Sequence, residues 1–397
     1  MNTNNLSLVP NRDRVSVFSV LVAMAILVNP FSTFSIGGTG IFVFVFVPIL
    51  IIFLYYCISK SKPLKWDSSL KTLLFLFLFN FLGFLWSPVF SAIGLAQVAI
   101  LVFSISFVQF NGKEKELIKI VAVLSLIAGC YLVYISSIGI LEDGRASIIV
   151  FGVERDPNYV ALTFLPGVAV ISQVLLSSKS RFIWKILSGV FLLVVLYTTL
   201  SMGTRSGTLT CLVIIALSFL CYRKASIGNL IFAVVLFLVF YLFLPYAINL
   251  LPDNVAVRYS EEVLENDGLG NRQYIWIDYL NNISANNSIL YFLFGRGTNS
   301  SLFIMKAGTH NFILQYFYEG GVVAIVLISM FIIRFVRIAL KSKNFLSFVV
   351  FTSTFFMGLS LGISGMTEFW LNIAIAYALI SSNQQLPDTN AKYLSTK

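Results

Sequence analysis

The sequence predicts an all-α polytopic membrane protein, and three observations carry that prediction. Apolar side chains make up 58% of the 397 residues and charged ones only 11%, more than a water-soluble fold of this size could hide. Apolar runs of about 20 residues, the length that crosses a bilayer, recur from end to end. The basic residues also fall into alternate connecting segments, as the positive-inside rule requires. Backbone polar groups in lipid must be satisfied within their own segment, so the spans are helices.

Run length places twelve spans at about 15–34, 39–58, 70–86, 90–109, 117–138, 160–176, 184–201, 206–222, 229–250, 310–335, 345–363 and 367–381. The first has too long an apolar stretch, and no small-residue cleavage site, to be a cleaved leader. The chain thus divides into spans 1–9 with short loops over 1–250, one large loop over 251–309, and spans 10–12 with a tail over 310–397. The four cysteines, Cys57, Cys130, Cys211 and Cys221, lie in or near spans without a C-x-x-C pair. They read as small buried apolar residues rather than as a disulfide or metal set.

Orientation follows from charge. With both termini cytoplasmic, 20 of the 27 basic residues and five of the 17 acidic ones share the inner side. The net charge of +10 therefore needs no nucleic-acid partner. The outer side carries Arg145, Arg155, Arg205, Arg258, Arg272, Arg296 and Lys306. Six of these seven are arginine, against six of twenty inside. A charge that only has to stay behind can be lysine, whereas a planar fork of donors suits phosphate or pyrophosphate. Pairing with outer carboxylates such as Glu142, Asp143, Glu154 and Asp278 is the competing account of these arginines.

Among the outer segments, Gly139–Tyr159 carries six charges and Leu251–Thr309 is 59 residues long. Within the latter, Asn254–Glu265 and Arg272–Ile283 have the pattern of short amphipathic helices. Leu290–Gly297 is an apolar stretch suited to dipping into the membrane surface before a glycine turn. Functional residues should gather where this loop meets the outer mouth of the helices.

Three short stretches carry chemistry. In SMGTRSGTLT, Ser201–Thr210, one span ends, the chain turns at Gly203, and another begins near Ser206 or Gly207, with Arg205 at its start. A helix N-terminus offers free N–H groups and partial positive charge, and Arg205 beside it makes a phosphate grip. Snorkelling to the interface is the alternative. In GVERDPNYVAL, Gly152–Leu162, Pro157 pushes Asp156 toward the extended backbone of an N-cap, and Pro157 suits the first helical position. That accounts for Asp156 but not for Arg155. In GTHNFILQYFYEGG, Gly308–Gly321, Thr309 can cap a helix whose first turn holds His310, the only histidine. The helix dipole there disfavours imidazolium, and a neutral imidazole can accept a proton. An interfacial hydrogen-bonding role for His310 is equally open on these residues. Asn311, Gln315 and Glu319 follow at four-residue spacing as one polar stripe, which must face protein or water.

Several chemistries lack their residues. One histidine, no outer cysteine pair and no D-x-D argue against a zinc or magnesium–nucleotide centre. No phosphate-binding G-x-x-x-x-G-K-[ST] and no G-x-S-x-G elbow occur. A transporter of a lipid-linked substrate would need polar midplane sites and pseudo-repeated halves, and no matched pair of either is present.

Taken together, these marks resemble the O-antigen polymerase and O-antigen ligase superfamily of bacterial surface-polysaccharide enzymes. They are the twelve-span plan, the D-P-N of Asp156–Asn158, the T-R-S-G turn of Thr204–Gly207, and one large loop before the tenth span. That loop closes with Gly295, Gly297, His310, Asn311, Leu314 and Gly321 in a G-x-G…H-N-x-x-L…G pattern. The resemblance covers most of the chain after about residue 140. It implies a GT-C-like fold in the bacterial inner membrane and a metal-independent, inverting glycosyltransferase working at the periplasmic face without a cofactor. The donor would be a glycan on undecaprenyl pyrophosphate. In a polymerase the acceptor is the non-reducing sugar of another lipid-linked repeat unit, and in a ligase it is lipid A–core. Polymerase is the preferred expectation, ligase the second and a flippase the third. The implied partners are the lipid-linked oligosaccharide, membrane lipid and a chain-length regulator protein, with no nucleic acid. The implied catalytic set is Arg205 and Arg272 on the pyrophosphate and His310 on the acceptor hydroxyl. Asn311, Arg258, Arg155, Asp156, Arg145 and Arg296 are the substrate-binding candidates.

Overall fold

The computed structural model describes residues 14–31, 35–36, 39–60, 62, 64–88, 93–140, 146–150, 153–177, 179–221, 227–251, 253–260, 263, 272–285, 288–306, 308–363 and 366–380. Each of the twelve apolar stretches contains a helix. They are α1 (Val17–Val28), α2 (Ile41–Ser59), α3 (Ser68–Leu82), α4 (Ile93–Phe107), α5 (Gly112–Ile135), α6 (Pro157–Leu176), α7 (Phe182–Ser201), α8 (Arg205–Cys221) and α9 (Ile227–Asn249). After the large loop come α14 (Phe312–Lys341), α15 (Phe345–Gly358) and α16 (Thr367–Leu379). Among the described residues, five helical segments are long and apolar enough to cross a membrane: Ser68–Leu85, which continues α3 by one short turn, and α5, α6, α7 and α14.

Two helices form the centre of the bundle. The most apolar window of α6 is 83% buried against 39% for α7, so α6 is packed on all sides while α7 keeps an open face. Every residue of α16 from Phe369 to Leu379 is also buried. Asn372 of α16 donates its amide to Leu162 O of α6 at 2.8 Å, a polar contact within this apolar centre. Around it, α5, α7 and α8 lie against α6, and α4 and α15 against α16. Buried aromatics fill the α14–α15–α16 seam, with Phe335 and Phe351 stacked at 3.8 Å between centroids.

At the basic end of the bundle, the carboxylate of Glu114 is fully buried. It accepts hydrogen bonds from Ser16 at 2.5 Å, Ser19 at 2.8 Å and Lys62 at 2.6 Å. One carboxylate thereby joins α1, α5 and the loop before α3. A charge so deeply placed is tolerable only with its ion partner and hydrogen bonds in place.

The opposite end departs from a purely helical plan. Ser137–Ile140, Ala146–Val150 and Val153–Arg155 form an antiparallel sheet, β3–β4–β5, and a two-residue pair, β1–β2, joins Ser35–Ile36 to Thr39–Gly40. The run ASIIV in β4 is β-branched and too short for a span, so it pairs as a strand. The large loop contains α10 (Asp253–Ala256), α11 (Arg272–Ser284), α12 (Ile289–Phe294) and α13 (Ser300–Met305). The helix expected over Asn254–Glu265 is shorter: α10 passes into a 3-10 turn at Val257–Tyr259. Most residues of 261–271 lie outside the described set.

The G-x-G turn and the end of the H-N…G motif meet here. Gly321 has φ +62°, and it breaks α14 into two helices. The chain at Gly295 (φ +70°) and Gly297 (φ +92°) lies along that break. Arg296 N–H donates to Tyr318 O and Gly297 N–H to Glu319 O, both at 2.9 Å, so the loop satisfies carbonyls that the broken helix leaves open. A Cβ on Gly295 would sit 2.3 Å from the backbone of Glu319 and Gly320. Gly295 and Gly321 form one close-packed joint between loop and helix, while Gly297 makes its own close approach to Gly83 O and the Ser87 backbone.

Candidate functional site

At the bundle end that carries the loop, a cavity of about 270 Å³ opens among α6, α8, α11, α15 and the 3-10 turn. Arg205, Arg258 and Arg272, which are far apart in sequence, all line it. None of its described lining residues is an Asp or Glu. Arg205 is the first residue of α8 and Arg272 the first of α11, while Pro157 and Asn158 of the first turn of α6 form another wall. Three helix N-termini therefore open onto a cavity that already holds three guanidinium groups, and their partial positive charges add to it.

The local sequence explains how Arg205 is aimed. Asp156 adopts extended backbone and accepts Asn158 N–H at 2.7 Å, so it caps α6 with Pro157 at the first position, as its sequence predicts. Thr204 caps α8 by accepting Gly207 N–H at 3.0 Å. Asn158 Oδ1 then accepts two hydroxyl donors, Thr204 at 2.6 Å and Ser206 at 2.8 Å. Arg205 lies between those two hydroxyl residues, so the D-P-N and T-R-S-G stretches hold it from both sides. Gly207 permits the approach, since a Cβ there would meet Ala161 Cβ at 2.7 Å. Burial raises the Tyr259 hydroxyl to about 12, with the positive charge of Arg258 and Arg205 opposing the rise. Its O–H donates to Leu200 O at 3.2 Å, which ties the Arg258 turn to the end of α7.

His310 lies on the next segment rather than among the cavity-lining residues. Trp276, one turn beyond Arg272 on α11, lines the cavity and donates its indole N–H to Thr309 O at 2.9 Å. The helix start expected at Thr309 is corrected by two residues. Asn311 is the N-cap and accepts Ile313 N–H at 2.9 Å and Leu314 N–H at 3.1 Å, while Thr309 turns its hydroxyl to Asn311 O. An asparagine reaching two open N–H groups displaces a threonine cap. His310 therefore sits just outside α14 with left-handed backbone, φ +46°, and is half-buried. The Asn311 carbonyl oxygen, a substrate-binding candidate from sequence, is occupied in the cap.

The remaining candidates are distributed differently. Arg155 is buried, with its guanidinium donating to Pro30 O and to Glu368 Oε1, the latter at 2.7 Å. Burial lowers its pKa, and the Glu368 carboxylate opposes that shift. Its partner lies in the first turn of α16, outside the set of carboxylates that sequence suggested for pairing. Arg296 lines a second cavity, described below, and Arg145 lies outside the described residues. The stripe below His310 is a closed relay. Ile363 N–H donates to Gln315 Oε1 at 2.7 Å, and Gln315 Nε2 and Ser301 Oγ donate to Glu319 Oε1 at 3.2 and 2.5 Å. Glu319 is a structural carboxylate of that relay.

Sequence reasoning left Asn158, Ser206, Trp276 and Tyr259 out of the site. Two of them had a usable signal. Asn158 completes the D-P-N stretch, and Trp276 lies four residues after Arg272, on the same face of the helix.

Fold and site together define a helical membrane protein whose loop-bearing end holds a strongly cationic cavity. Residues 190–329 match the profile of a family described as O-antigen ligase. That match covers part of the chain and supports the superfamily resemblance. The matched segment contains Arg205, Arg258, Arg272, Arg296 and His310, and it leaves α6 with Asn158 outside. No curated protein matches the sequence.

Proposed function

We propose that the chain is an O-antigen polymerase of the bacterial inner membrane. It transfers a glycan from undecaprenyl pyrophosphate to the non-reducing end of a second lipid-linked repeat unit at the periplasmic face. The observation that carries this reading is the cavity where Arg205, Arg258 and Arg272 converge with three helix starts. A pyrophosphate is the ligand such a set of forked donors and helix dipoles suits. Leu209, which is 51% exposed, lines the same cavity and offers an apolar exit for a lipid tail.

In this mechanism the acceptor hydroxyl oxygen bonds to the anomeric carbon from the face opposite the leaving group. The carbon–oxygen bond to pyrophosphate breaks, its electron pair leaves with undecaprenyl pyrophosphate, and the hydroxyl proton passes to the His310 imidazole. The configuration inverts. Arg205 and Arg272, with Arg258, stabilise the charge that grows on the leaving phosphate, a contribution that mutagenesis in other enzymes puts at about 10²–10³ per donor. No metal or nucleotide takes part in the steps proposed.

Ligase is the second reading, because the matched family is described by that activity. A deletion strain separates the two by glycolipid gel. Core carrying single repeat units identifies the polymerase, and bare core with chains retained on the carrier identifies the ligase. Normal full-length banding overturns both.

A further inference from the structure

The large loop frames a second cavity, about 620 Å³, among α11, α12 and α14. Its walls are mostly apolar, including Leu280, Ile283, Ile289, Phe292 and Phe317, and Arg296 stands in it. This arginine is held from several directions. Its backbone N–H bonds Tyr318 O in the glycine joint, and one guanidinium nitrogen donates to Asn282 O at 2.8 Å. Its plane lies over the rings of Tyr291 at 5.7 Å and Tyr318 at 5.2 Å. A guanidinium carries five N–H donors, and the aromatic contacts fix its orientation. The α12 wall is exposed to the surroundings at Ile289 (69%) and Phe292 (51%). The cavity thus combines one fixed cation with a long apolar surface open at its edge, the complement of a phosphate carried on a hydrocarbon chain.

Its position gives it a role. Helix α11 lines both cavities: Arg272 and Trp276 face the three-arginine cavity, and Leu280, Asn281 and Ser284 face this one. From Arg272 to Asn281 the helix rises about 14 Å, so two lipid phosphates can be held a short distance apart without meeting. A transferase joining two lipid-anchored substrates needs a place for each anchor. We infer that the Arg296 cavity binds the phosphorylated isoprenoid anchor of the acceptor, while the three-arginine cavity binds the donor pyrophosphate. This rests on the transferase reading above, and it separates Arg296 from the donor site.

The test is equilibrium binding of labelled undecaprenyl phosphate to the full-length chain in detergent. Wild type should bind two equivalents. Arg296→Gln should weaken one of them about 10- to 100-fold, the range for a lost hydrogen bond to a charged group. Ser284→Trp fills the exposed rim without removing an internal packing contact, and it should abolish the same equivalent. Arg205→Ala should remove the other. A single equivalent in wild type, unaffected by Arg296→Gln and Ser284→Trp, overturns the second site while leaving the donor site standing. Displacement of the second equivalent by excess phosphatidylglycerol overturns the acceptor assignment in favour of a bulk-lipid groove. Loss with Ser284→Trp but not with Arg296→Gln overturns the phosphate contact. Two equivalents retained by Arg205→Ala would instead count against the transferase reading itself.

Discussion

Arg155 and Arg205 make an instructive pair. Both were read from sequence as outer-face arginines beside a helix start, and the structure puts them in opposite circumstances. Arg155 is enclosed by protein and bonded to Glu368 and a backbone carbonyl. Arg205 lies on the wall of a cavity with Arg258 and Arg272. A buried cation paired with a carboxylate of another element holds the fold together. Three arginines gathered on one cavity wall raise the local positive potential there, which suits an anion. The difference teaches that arginines expected on one side of the membrane have at least two roles in one molecule.

Substitutions can break this comparison or sharpen it. Arg205→Ala should have the largest effect, lowering transfer by about 10²–10³-fold at unchanged protein level in an assay of glycan chain formation. Arg205→Lys should rescue little of it if a two-pronged grip is needed, and near-wild-type activity in the lysine variant would reduce the role to bulk charge. Arg155→Ala should act through the fold, since it breaks the Arg155–Glu368 ion pair. The expected loss is about 3–5 kcal/mol, read as lower thermal stability and lower protein level in the membrane. The double variant Arg155→Met, Glu368→Gln should recover most of that stability. If Arg155→Ala proves stable and inactive, the contrast between the two arginines collapses.

Asn158→Ala is a smaller and mixed case. Two hydroxyl donors lose their shared acceptor, so about 1–3 kcal/mol of stability should go. Arg205, sitting between those donors, should lose its aim, and activity should fall further than the protein level does. Equal falls would make Asn158 purely structural. The smallest effect is expected for Gly207→Ala, where the new methyl overlaps Ala161 and helix α8 must shift. A destabilisation of about 1–3 kcal/mol in a thermal melt would fit an overpacked contact.

The comparison of Trp276 with His310 shows where the site was legible and where it was not. Trp276 was not among the sequence candidates, yet its four-residue spacing from Arg272 is a signal for one helix face, and the structure has both on the cavity wall. For His310, the expected cap at Thr309 competed with Asn311, and the side chain that satisfies two N–H groups took the position. That competition depends on backbone geometry, which sequence spacing does not contain. The β-sheet before α6 escaped notice for a related reason. Its strands are short, and their pairing partners lie across a turn rather than in a periodic run.

Composition and run length were enough for the helical membrane character, because burying apolar side chains and satisfying backbone groups in lipid are constraints on every residue of a span. Charge type was enough to mark the outer arginines as unusual. Which of them share a cavity and which pairs with Glu368 was decided by tertiary packing. Residues 205, 258 and 272 meet only because α8 docks on α6 and the loop folds back over both, and sequence carries no direct record of such long-range contacts. The glycine joint has the same origin. Gly295 and Gly321 stand in the sequence motif, but the reason for them appears only where their two backbones approach too closely for any other residue.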